Sequence, residues 1–343
     1  MALNIPDFDN LPPVESMPQG WAWGIFDKGG QKDVYGTLNF LTQDVVKAAA
    51  KEVHEGISVS LNWPLDAVIK PTIGRTPLDH KVLPFTLHDH GYIGLDDEIR
   101  FNTQSSSQWD SLCHYPHQAT GTGYNGVSAT VATVEAAADA PVPPSTVPTL
   151  EHWHDRGCLV ARGVLLDYRV YAERHSIQYS SMDKHVITIA DLEACAREQN
   201  TTLKPGDVLL IRCGFTEDMS TLSPGEQTKV LYAYRFCGIE GTKEMAAWLW
   251  NHRFSAVAGD SISFEVSPPQ IKDGDTMRDG TVGDYVLHPY LLSGFGMPIG
   301  ELWDLKKLSE TCARLKRWSF MLTSVPLNYR GSIGSPPNAV AIF

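Results

Sequence analysis

Basic residues are scarce in this chain. Lys and Arg number 28 against 40 Asp and Glu, a formal charge of −12 at pH 7, and they form no run or stripe. That argues against nucleic-acid binding, which needs a basic footprint; the acidity serves solubility. Long apolar stretches are also missing. The longest fall well short of the roughly 20 residues that span a bilayer, so no membrane partner is expected. The opening Met1-Ala2-Leu3-Asn4-Ile5-Pro6-Asp7 has neither the apolar run of a signal peptide nor the arginines of a mitochondrial presequence. Cys113, Cys158, Cys195, Cys213, Cys237 and Cys312 are never paired at two-residue spacing, which argues against a zinc knuckle or a thioredoxin-type motif. Scattered thiols in such a chain read as reduced and buried, and a cytoplasmic location is expected. There is no Walker loop. Gly121-Thr122-Gly123 lacks the third glycine and the preceding strand of a dinucleotide fingerprint, so no nucleotide cofactor is expected. Gly-x-Ser-x-Gly and His-Glu-x-x-His are absent too, which speaks against an α/β-hydrolase elbow and a zincin helix.

What is present belongs to a folded enzyme-sized protein. At 343 residues, 43% hydrophobic and 20% charged, the chain can bury a sizeable core. Residues 1–40 are rich in Pro, Gly and Trp and read as an extended arm. Thr42 can cap a helix from Gln43 to about Val53. Ile57 to Trp63 alternates as a strand does. Residues 70–100, with His80, His88 and His90, read as a long functional loop or lid. Ala136 to Pro148 reads as an insertion, because the motifs on either side serve one site. Thr188 and Asp191 make a capping box for a helix to about Glu198. Cys158–Ala161, Gly163–Asp167, Val208–Arg212 and Ser255–Asp260 read as buried strands. Helices are expected over Thr242–His252 and Leu305–Leu315, with closing strands at Met321–Val325 and Ala339–Ile342. Strands and helices mix throughout, giving an α/β or α+β class. A single domain over 1–343 is expected.

Three constellations can carry chemistry. The first is the polar run Gln104-Ser105-Ser106-Ser107-Gln108-Trp109-Asp110-Ser111-Leu112-Cys113-His114. Asp110 and His114 can orient one another and move a proton; equally, they can be a turn cap and a surface histidine. The second is His288 and Glu301, on either side of a glycine-rich loop, which can converge or simply start a helix. The third is Gly259-Asp260-Ser261-Ile262-Ser263-Phe264-Glu265, an acidic strand end that suits a site lip or a self-bonded turn. Trp109 and Trp303 read either as pocket walls or as core aromatics.

Together these segments resemble the cyclase superfamily that includes bacterial kynurenine formamidase and isatin hydrolase, in its longer fungal-type branch. Gln108-Trp109-Asp110, Tyr124-Asn125-Gly126, Gly206 to Arg212, Gly259-Asp260-x-x-Ser263-x-Glu265 and Gly300-Glu301-Leu302-Trp303-Asp304-Leu305 carry the likeness. The resemblance implies a swivelling β/β/α barrel-like fold, a homodimer or homotetramer, and an arm reaching a neighbour. The family hallmark is His-x-Gly-Thr-His-x-Asp-x-Pro-x-His. On it, Asp110 falls on the metal-binding Asp and His114 on the last His, the acid/base. His288 and Glu301 fall on a later ligand pair. Tyr124, Asp260 and Glu265 join Gln104, Gln108, Trp109 and Trp303 as candidate substrate-binding residues. Gln104 and Gln108 stand where the family has two ligand histidines, Ser106 and Ser107 replace Gly-Thr, and Leu112 replaces Pro. Amide oxygens are poor zinc donors, so Asp110, His288 and Glu301 are left in an oxygen-rich set suited to Mn²⁺ or Mg²⁺, to weak Zn²⁺, or to no metal. The implied activity is hydrolysis of an amide or ester, lactam or lactone, in a small aromatic molecule. A metal-free cyclase, isomerase or dehydratase and a non-catalytic ligand-binding relative are the alternatives.

Overall fold

The computed structural model describes residues 5–85, 94–139, 146–274 and 276–343. His88 and His90 lie outside them. The fold is a mixed α/β one, built on a curled nine-strand half-barrel sheet. Its strand order is Ser58–Ser60, Ala339–Ile342, Ser319–Ser324, Leu159–Asp167, Val208–Arg212, Ala256–Gly259, Ile299–Glu301, Gln108–Asp110 and Gly334–Ser335. The centre, from Leu159–Asp167 to Ile299–Glu301, is parallel. Such strands are covered on both faces and read as near-continuous apolar runs. Val208-Leu209-Leu210-Ile211 is one.

Alternation along these strands divides the interior into two cores. Leu209, Ile211 and Val257 pack with the helices Ile189–Glu198 and Lys243–Asn251. Val208, Leu210, Ala256 and Ala258 pack on the opposite side with Phe320, Phe343 and the helix Lys306–Leu315. Thr42 accepts from the Val45 amide and starts the helix Gln43–Ala50. The Thr188–Asp191 capping box is formed as expected, and its helix ends at Glu198. Leu159–Asp167 is one strand rather than two: Arg162 stays in register opposite Met321 and its guanidinium is buried against Asp207, 2.9 Å away.

One expectation fails. The segment 70–100 contains an antiparallel ribbon, Asp79–Phe85 with Gly94–Arg100. Nearly all its residues are exposed, so no buried alternation marks it in the sequence. The arm folds onto its own chain: Phe8, Leu11 and Trp21 are buried in the first core, and the Trp23 indole donates to the Ser293 carbonyl at 2.7 Å. Among the described residues no helix is long and apolar enough to cross a membrane.

Candidate functional site

The strand Gln108–Asp110 lies between Ile299–Glu301 and Gly334–Ser335. Pairing sets Glu301 directly across from Gln108, and Ile299 across from Asp110. Gln108, Asp110 and Glu301 therefore share one face, while Trp109 points to the other. The preceding loop is held by its serines. Ser106 donates to the Pro64 carbonyl at 2.8 Å and Ser107 to the Leu302 carbonyl at 2.5 Å. This brings Gln104 back over the strand, and Gly334 makes the room: a Cβ there would sit 2.5 Å from Gln104 Cγ.

The result is a buried polar cluster. The Gln104 amide nitrogen donates to Asp110 Oδ1 at 2.6 Å and lies 3.1 and 3.2 Å from the two ring nitrogens of His114. His114 Nε2 is 3.9 Å from Asp110 Oδ1. The Gln108 amide nitrogen donates to Glu301 Oε2 at 2.8 Å. Beside a carboxylate, which only accepts, each amide must turn its N–H inward. His288 completes the cluster, with Nε2 3.3 Å from Glu301 Oε1 and Nδ1 2.8 Å from Glu265 Oε1. Tyr285 stacks on its ring at 4.9 Å. Two oxygens, Gln108 Oε1 and Asp110 Oδ2, are buried with no partner. Such atoms are costly unless something donates to them.

Burial pushes the Asp110 carboxyl up, against the opposing pull of His114. For His288 burial favours the neutral ring, but the bonds to Glu265 and Glu301 outweigh it and raise the imidazolium to about 10. The His114 side chain is 24% exposed, against 0% for Asp110. It is where the cluster meets solvent.

Four other expected site residues, Trp109, Trp303, Tyr124 and Asp260, have side chains outside the polar cluster. Trp109 and Trp303 are core aromatics. They meet edge to face at 4.9 Å on the far side of the strand, and Trp109 donates to Ser324. Tyr124 donates to Asp33 at 3.0 Å and anchors the arm. Asp260 accepts from the Cys213 and Gly214 amides at 2.8 and 2.7 Å and closes a turn. Glu265 lies inside the cluster, wholly buried, and bonds the Val286 and His288 amides as well as the His288 ring, so it positions that ring. Arg75 was not foreseen. It donates to the Gln104 carbonyl at 2.7 Å, and its charge reaches Asp110. A loop arginine with no motif around it gives no signal in a single sequence. A cleft of about 1130 Å³, lined by Lys32, Tyr35, His152 and His154, contains none of the cluster.

A divalent metal does not fit this donor set. Among the described residues no three His, Cys, Asp or Glu side chains are grouped to hold one. Both amides point nitrogen, not oxygen, at the acids, and both ring nitrogens of His288 face carboxylates.

Comparison with known proteins agrees with the fold. The family model described as "Putative cyclase" matches residues 41–266. The crystal structure of a novel cyclase superposes with a TM-score of 0.74 at 27% identity, covering 91% of this chain and 96% of that one. Isatin hydrolase A from Ralstonia solanacearum superposes with a TM-score of 0.52 at 14% identity, over 88% of this chain and 98% of its own. No curated protein sequence matches.

Proposed function

This chain belongs to the cyclase family, and from that membership and the geometry of its polar cluster we propose that it is a hydrolase. Its substrate is a small aromatic metabolite, cleaved at an amide or ester bond, lactam or lactone included. The observation that carries this reading is the placement of His114. Its ring lies at the solvent edge of the cluster, 3.1 Å from the Gln104 amide and 3.9 Å from Asp110. There it can take a proton from water as the water oxygen bonds to the substrate carbonyl carbon. It returns that proton to the leaving nitrogen or oxygen as the C–N or C–O bond breaks. Asp110 stabilises the imidazolium in between, and Gln104 holds both groups. No step runs through a metal. Isatin, named in the isatin hydrolase that shares the fold, is the first probe, with formanilide and phenyl acetate as acyclic amide and ester.

A metal-free isomerase, cyclase or dehydratase is the second reading. It is favoured by the donor set, which leaves proton transfer as the chemistry the residues themselves supply. Assay of the three probes with wild type and His114→Ala separates the readings. Turnover lost with His114 supports hydrolysis. Binding of a probe without turnover in wild type moves the assignment to the second reading or to a non-catalytic binding protein.

A further inference from the structure

We infer that Gln104 and Gln108 do the electrostatic work of a metal ion, so that this site is built to operate without one. The inference rests on the cluster being the active site, and it concerns what neutralises that site's acids. Asp110 and Glu301 are 0% and 5% exposed. Two carboxylates so deeply buried need compensation. Each receives a glutamine N–H, Gln104 to Asp110 at 2.6 Å and Gln108 to Glu301 at 2.8 Å, and Glu301 also accepts the Phe264 backbone N–H at 3.0 Å. The pairing is built in by register, since Gln108 and Glu301 are cross-strand partners and Gly334 clears space for Gln104.

Recruiting the amide oxygens instead would require both amides to flip. Asp110 would then lose its glutamine donor, Glu301 would keep only the Phe264 amide and the His288 ring, and each would face an oxygen at hydrogen-bond distance. His288 offers no spare nitrogen either, with Glu265 at 2.8 Å on one side and Glu301 at 3.3 Å on the other. Imidazoles at positions 104 and 108 would reverse this, because a neutral ring presents a nitrogen lone pair where an amide presents N–H. The two glutamines thus decide between a cation and a hydrogen-bond clamp.

Metal alone is the probe. Purified wild type is dialysed against chelator, then titrated calorimetrically with MnCl₂ and with ZnCl₂, beside Gln104→His/Gln108→His and Gln108→Glu. Wild type should show no stoichiometric site in the micromolar range and no change in melting temperature with 1 mM Mn²⁺. The double variant should gain Zn²⁺ affinity by more than the about 100-fold that outer-shell changes alone can produce. Gln108→Glu sets a third acid against Glu301, so Mn²⁺ should raise its melting temperature. Stoichiometric, chelator-resistant metal in wild type would overturn the inference. So would both variants folding without any gain in metal affinity. None of these readouts uses turnover, so failure of the hydrolase reading is scored separately, by His114→Ala.

Discussion

The two faces of the strand Gln108–Asp110 do opposite things. On one, Gln108 and Asp110 meet Glu301, His114 and Gln104 in a cluster that still has two oxygens without a donor. On the other, Trp109 packs against Trp303 and Trp153 at 4.9 and 5.4 Å, with its indole nitrogen bonded to Ser324. One face is left unfinished and the other is fully satisfied. Groups left unsatisfied in a buried place are where a ligand gains by binding; a filled aromatic layer gains nothing further. In the proposed function, residues adjacent in sequence would thus serve chemistry and stability separately.

The largest expected effect falls on the polar face. His114→Ala should lower turnover of any accepted probe by roughly 10² to 10⁴, while the melting temperature stays close to wild type. Next comes the aromatic face. Trp109→Ala should cost about 3–5 kcal/mol of stability in denaturant melts, as large-to-small core changes do. Trp109→Phe should recover much of that and keep turnover. A Trp109→Phe variant that folds normally yet loses turnover would break the separation of faces.

A third test sharpens the polar face by pH. His288 is raised from its ordinary 6.5 to about 10, so the stability it contributes is complete below about 6.5 and is lost as pH rises through about 10. Denaturant melts between pH 7 and 10.5 should show this decline. In Glu265→Gln, which keeps the shape and removes a charge, the decline should move to lower pH. The smallest effect belongs to Tyr124→Phe. Losing its bond to Asp33 should cost about 1 kcal/mol and leave turnover unchanged.

The same separation explains what the sequence made legible. Strands such as Val208–Arg212 are apolar on both faces, and the Thr188–Asp191 cap is local, so both could be read directly. Asp110 with His114, and His288 with Glu301, were legible as pairs because their residue types fit one family pattern. Trp109 was harder, since reading it as a pocket wall required knowing which face of a three-residue strand is the site. Tyr124 and Asp260 have the right chemistry, but their partners, Asp33 and the Cys213–Gly214 turn, are distant in sequence. The ribbon at Asp79–Phe85 and Gly94–Arg100 was unreadable for a different reason. It buries almost nothing, so its composition looks like a loop.

The central claim is that proton transfer at the solvent edge of the polar face is the work of His114. The most direct measurement is turnover of isatin, formanilide and phenyl acetate by folded His114→Ala, with and without added imidazole. The expected result is a loss of roughly 10² or more, partly restored as imidazole enters the space left by the ring. Turnover within about threefold of wild type, well inside the range that a lost acid/base group should exceed, would contradict it.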